Sequence, residues 1–230
     1  MSLKLYFHPL ASFCWKALIP LYENDTPFEP VVVDLANAES RASFAAVWPL
    51  LKFPVLRDDA RDRTVAEATT VIEYLDSFYP GATRFVPKDA EAAWQTRMWD
   101  RVYDHYVHEP MQKIVTDRLR PEGQSDAVGV EQAKAQIREA YALLDREIGS
   151  RTWAMGSEFS LVDCAASPAL FYANTVLPFG PEQRNLPAYL DRLMARPSFA
   201  RVLREAEPYF PFFPMENKPR IAKPTAAEIA

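Results

Sequence analysis

The stretch FHPLASFCWK, Phe7 to Lys16, brings a histidine, a serine and a cysteine together where a strand-like run gives way to a helix-like one. Ser12 and Cys14 are rivals for the working side chain of such a turn, one as a hydrogen-bonding hydroxyl and the other as a redox thiol. The plain alternative is that Ser12 only caps the helix that follows. Cys14 and Cys164 are the two cysteines, far apart and in no CxxC pattern, so two reduced thiols are expected rather than a disulfide. His105 and His108 are three apart with no third ligand nearby. They are therefore read as solvated or hydrogen-bonded, and no metal site is expected.

The rest of the composition narrows the class. Net charge is −5 across 230 residues with no basic stripe, which argues against nucleic acid as a partner. No apolar run reaches the roughly 18 residues that cross a bilayer. The first residues lack the basic-then-apolar order of a secretory leader, so a cytoplasmic protein is expected.

The elements that must hold the turn follow from periodicity. Leu3, Leu5 and Phe7 alternate as in a strand, and Ser12 to Asn24 reads as a helix bent by Pro20. Phe28 to Leu35 is β-branched and apolar, the pattern of a buried strand. Glu39 to Trp48 is a second helix. FPVLRD and RTVAE flank a polar turn as a hairpin, and Ala68 to Tyr79 is a third helix closed by Pro80-Gly81. The order β-α-β-α-β-β-α describes a small mixed sheet over residues 1–80. A linker is expected over 81–89 and an all-helical domain over 90–215. That domain begins with one long helix over Ala90 to Arg120, kinked at Pro110. Residues 216–230 read as a tail, its last dozen mobile.

Four stretches in this order resemble the cytosolic glutathione transferase family: ASFCWKALIPLYE, LKFPVL, AEATTVIEYL, and FSLVDCAASPAL with NLPAYLDRLMARPSFARVL. The resemblance spans nearly the whole chain. It implies a thioredoxin-like N-terminal domain followed by the family's helical domain. It also implies glutathione as a substrate rather than a cofactor, a small apolar electrophile as co-substrate, and a homodimer. Subclass is left between the serine type and the cysteine type.

Residue by residue, the resemblance makes Pro54 a cis-proline that exposes the main chain of Phe53 to the cysteinyl part of glutathione. Lys52 would reach the glycyl carboxylate. The alternative is a trans Pro54 that merely starts an edge strand. Glu67 would face the γ-glutamyl ammonium, and Ala68 would offer its N–H to the γ-glutamyl carboxylate at a helix N-terminus. The alternative there is that Glu67 simply caps the helix. The family's hydroxyl is missing at Ala68, and Thr69 is about 100° further round the helix. Leu51 stands where the family usually has a small residue. Ala11 replaces the activating serine of the serine classes, and Ser12 stands where the cysteine-type class has its cysteine, so Ser12 is the residue assigned to thiol activation. Leu10, Tyr103, Tyr106, Val107 and Met111 are assigned to the electrophile pocket, with plain core as the alternative for the aromatic stripe.

Three functions remain open on this reading. The leading one is a transferase that joins glutathione to an apolar electrophile. A second keeps glutathione but changes the reaction to isomerase, lyase, dehalogenase or peroxidase chemistry. A third is a transferase-like binding protein, which Ala11 and Ala68 favour.

Overall fold

A computed structural model describes residues 2–221. Strand β1 (Leu3–Phe7), helix α1 (Ser12–Glu23), β2 (Glu29–Val32), α2 (Ala38–Val47), β3 (Val55–Asp58), β4 (Arg63–Ala66) and α3 (Ala68–Phe78) follow the anticipated order. The sheet runs β2-β1-β3-β4, with β1 parallel to β2 and antiparallel to β3, and β3 antiparallel to β4. The β1–α1–β2 crossover gives the parallel pair, and the tight β3–β4 turn gives an antiparallel one. This is the thioredoxin-like arrangement.

One strand is corrected. The apolar run around β2 forms an edge strand rather than a buried one, and Val32 is half exposed. Only β1 pairs with it, and its hydrophobic residues serve a side cluster of Val33, Phe44 and Val55 under α2.

The helical half holds α4 (Ala90–Tyr103), α5 (Glu109–Asp117), α6 (Ala127–Ile148), α7 (Leu161–Val176), α8 (Leu186–Ala195) and α9 (Pro197–Ala206), then a 3₁₀ segment over Glu207–Phe212. The expected capping box at the head of α7 is formed: Ser160 N–H donates to Asp163 Oδ2 at 2.8 Å. The expected long first helix is continuous from α4 to α5, but its irregularity is a π-helical turn over Asp104–His108 just before Pro110. Pro110 has no N–H to donate, and in the π register its acceptor would be the carbonyl of His105, five residues back. The wider turn accommodates it, and the carbonyl of His105 accepts from Gln136 Nε2 instead. Helix α1 lies between the sheet and the helical half. Its Trp15 is fully buried against Phe171, Tyr172, Phe199 and Phe210, so the head of α1 is anchored from below. Residues 222–230 of the anticipated tail lie outside the described residues.

Candidate active site

Three chain reversals converge above the sheet. The first is the loop from α2 to β3, where Phe53–Pro54 is a cis peptide. The second is the junction of β4 and α3, where Glu67 adopts a left-handed φ of 67°. The third is the head of α1. A cleft of about 440 Å3 runs between them, walled by Lys52, Phe53, Pro54, Glu67, Ala68 and Ala11, with Glu109 and Gln112 of α5 opposite. Lys52 and Glu67 are exposed there and form no ion pair among the described residues. The cleft therefore offers one cation and one anion at separate positions, with main chain between.

Leu51 holds a φ of 53°, unfavourable for a bulky side chain. Its side chain packs toward the Val33–Phe44–Val55 cluster beside Trp48, and both residues line the cleft. At the head of α3, the first intrahelical bond is Val71 N–H to Glu67 O. The N–H groups of Ala68, Thr69 and Thr70 are thus free of intrahelical acceptors, as in any first turn.

The head of α1 is arranged differently from the sequence expectation. Ala11, not Ser12, is the N-cap residue, and Ser12 is the first helical position. The Ser12 hydroxyl accepts from Gln112 Nε2 at 3.4 Å. Ser12 faces a second, smaller pocket of about 180 Å3, shared with Leu10, Met111, Val115, Tyr172 and Phe213. Ala11 and Gln112 line both cavities, so the two meet at the head of α1. Cys14 points into the domain. It is fully buried, and burial pushes its thiol well above the ordinary range.

Two family models cover the chain. One, for the N-terminal domain of glutathione S-transferases, matches residues 5–83, and one for their C-terminal domain matches residues 92–197. The chain belongs to the glutathione S-transferase family. Glutathione S-transferase GstB of Escherichia coli strain K12 is 25% identical over 191 residues, covering 82% of this chain and 91% of that protein. Human glutathione S-transferase theta-1 is 28% identical over 185 residues, covering 75% of this chain and 73% of its own. A glutathione S-transferase of Methylobacillus flagellatus, solved with glutathione bound, superposes with a TM-score of 0.80 at 26% identity, over 87% of this chain and 98% of that one.

In this transferase the aromatic stripe assigned to the electrophile pocket divides. Leu10 and Met111 line the smaller cavity. Tyr103 and Val107 do not: both are buried in the core of the helical half, Tyr103 beside Tyr189 and Asp163. Tyr106 is exposed and lies in neither cavity wall. The wider π turn offsets the helix face from a 3.6-residue period, so Glu109 and Gln112 form the wall of the cleft. His108 is also corrected. It is neither solvated nor hydrogen-bonded: it is fully buried, stacks on Phe13 at 3.8 Å, and neither ring nitrogen finds a partner among the described residues. His105 bonds to Glu109 Oε1 at 2.9 Å, as expected.

Sequence reasoning missed Gln112, Phe13, Val115, Tyr172 and Phe213. Gln112 and Val115 follow Met111 on α5, all three lining the smaller cavity. Tyr172 and Phe213 come from distant segments stacked at 5.3 Å, which no local pattern links to the turn at Ser12.

Proposed function

We propose that the protein binds glutathione in the larger cleft and joins its sulfur to a small apolar electrophile held in the smaller cavity. The γ-glutamyl end lies at Glu67 and the N–H groups of Ala68 and its neighbours. The cysteinyl main chain pairs with that of Phe53, like an added strand. Lys52 takes the glycyl carboxylate. The sulfur then stands at Ala11 and Ser12, where the two cavities meet.

The observation that carries this reading is the state of the Ser12 hydroxyl. Its oxygen accepts from Gln112, while its proton has no acceptor among the described residues. That O–H is free to donate a hydrogen bond to a thiolate, keeping its own proton. A thiol of pKa near 8.5 is only about 3% ionised at pH 7. One hydrogen bond to the anion, worth about 1.5–3 kcal/mol, lowers that value by about one to two units. The α1 N-terminus adds in the same direction. The thiolate attacks the electrophilic carbon, a carbon–sulfur bond forms, and the leaving group departs with its electron pair.

Apolar residues Trp94, Met98 and Phe78 stand exposed on α3 and α4, which supports a homodimer; light scattering in solution tests it. A cytoplasmic site fits the reduced state of both buried cysteines. The functional test is glutathione titration followed by turnover of an aromatic chloro-substrate. Binding with turnover that falls at least tenfold in Ser12→Ala is expected. Binding without turnover of any electrophile would favour a binding protein, and full activity in Ser12→Ala would remove the role given to Ser12.

A further inference from the structure

Lys16 lies one turn beyond Ser12 on α1 and is wholly enclosed. Its ammonium donates to Thr69 Oγ1 at 2.9 Å and to both carboxylate oxygens of Asp104, at 2.8 and 2.7 Å. It also touches Asp100 Oδ1 at 2.6 Å. Thr69 in turn donates to Asp100 Oδ2 at 2.8 Å. Arg101 approaches the same Asp100 oxygen from the surface at 3.3 Å, so two cations face two carboxylates and the cluster is balanced. The residues come from α1, α3, α4 and the π turn, across the boundary between the sheet-bearing and helical halves.

Stability alone is a poor reason for such a cluster. Removing an ion from water costs several kcal/mol, and well-packed apolar replacements are often as stable or more so. What a buried, directional network supplies is one fixed geometry. Here the group it fixes is Thr69, the second residue of α3 and the next after Ala68. The γ-glutamyl carboxylate has no hydroxyl to meet at Ala68, and Thr69 has its own hydroxyl turned inward to Lys16 and Asp100. Recognition at this end therefore falls to backbone N–H groups, and their direction depends on how the first turn of α3 is held. Lys16 also ties that turn to the helix whose head carries Ser12, which sets the span from the γ-glutamyl end to the sulfur.

We propose that Lys16, Thr69 and Asp100 act as positioning residues for the γ-glutamyl end of glutathione, the network holding the first turn of α3 at a fixed distance from the head of α1. The proposal rests on the binding mode given above.

The test compares glutathione with cysteinylglycine, which lacks the γ-glutamyl group, in the unsubstituted protein, Thr69→Val, Thr69→Ser and Lys16→Met. Thr69→Val keeps shape but can neither donate nor accept. It is expected to raise the KM for glutathione roughly tenfold, the size of one such hydrogen bond. The KM for the electrophile and the activity with cysteinylglycine should stay within about twofold. Thr69→Ser, which can make both bonds, should restore the KM for glutathione. Lys16→Met should show the same selective loss where it folds, but Thr69→Val decides the matter if it does not. An equal loss for both thiols, or an unchanged KM for glutathione in Thr69→Val, would overturn the proposal and leave the network a structural tie. An unsubstituted protein that does not prefer glutathione over cysteinylglycine would overturn the binding mode itself, and this inference with it.

Discussion

The heads of α1 and α3 face the same cleft but are secured in different ways. The head of α3 is held from behind by a lysine, a threonine and two aspartates, all buried, with Lys16 bonded to the other three and Thr69 to Asp100 at 2.6–2.9 Å. The head of α1 has an alanine as its cap; Trp15 Nε1 and the Tyr172 hydroxyl tie down the preceding carbonyls of Pro9 and Leu10 at 2.6 and 3.1 Å, but the Ser12 side chain itself has one long bond, from Gln112 at 3.4 Å. The head proposed to take the peptide end is fixed by that buried network, while the hydroxyl proposed for the sulfur is held by one long bond. Such a division suits a site where one end must recognise a constant peptide and the other must let the sulfur meet co-substrates of different shape.

The largest effect expected from breaking this contrast is on stability. Lys16→Ala would leave Asp100 and Asp104 facing each other without a buried counter-charge. Removing one member of a buried ion cluster typically costs about 3–5 kcal/mol. A urea titration should show that loss in the midpoint, and a shift under 1 kcal/mol would mean that water or Arg101 replaces Lys16. Ser12→Ala attacks the other head. It should leave the urea midpoint nearly unchanged, since Ser12 makes one long bond, while kcat/KM for conjugation falls by about 1.5–3 kcal/mol in barrier terms. If stability fell and activity did not, the two heads would have exchanged roles.

Ala68→Ser sharpens the comparison from the opposite side by returning a hydroxyl to the head of α3. The γ-glutamyl carboxylate would gain one charge-assisted hydrogen bond, worth about 2 kcal/mol. Calorimetric titration should then give a glutathione Kd lower by more than tenfold. Ala68 is 6% exposed, so the added oxygen must point into the cleft for this gain to appear. An unchanged Kd would indicate that the carboxylate lies elsewhere along the turn.

How far these features can be read from residues alone depends on how local they are. The alternation of Leu3, Leu5 and Phe7, the Ser160–Asp163 box and the polar turn before Arg63 each act within a few residues, and each appears in the expected place. The placement of Lys52, Phe53, Pro54, Glu67 and Ala68 along one cleft needed the family resemblance, because they sit on separate reversals of the chain. Strand β2 misled because an apolar β-branched run looks the same whether it is flanked on both sides or lies at an edge over a side cluster. The π turn before Pro110 misled more, since one wide turn moves every later residue off a 3.6-residue stripe; Tyr103, which precedes that turn, and Val107, within it, are buried in the core. Lys16 gave no local signal at all. A lysine in an apolar helix reads as surface, and its partners lie 53 to 88 positions away.

His108 yields the smallest effect and a different probe of the same boundary. Its ring is buried on Phe13, 4.0 Å from Asp104 Oδ1 and near Lys16, and burial holds its pKa well below the ordinary value of about 6.5. Folded, it stays neutral as pH falls through that value, whereas in the unfolded chain it takes up a proton. The unfolded state then binds more protons, so the stability present above about pH 6.5 is lost below it. One such group removes about 1.4 kcal/mol between pH 7.5 and 5.5. His108→Phe keeps an aromatic ring on Phe13 and abolishes that titration. Its stability should therefore fall less than that of the unsubstituted protein over the same interval, whatever the packing change does to the absolute value. Equal pH dependence in the two proteins would mean that His108 is protonated in the folded state as well, with Asp104 as its counter-charge. In that case the buried cluster behind α3 would extend one residue further, to the floor beneath Phe13.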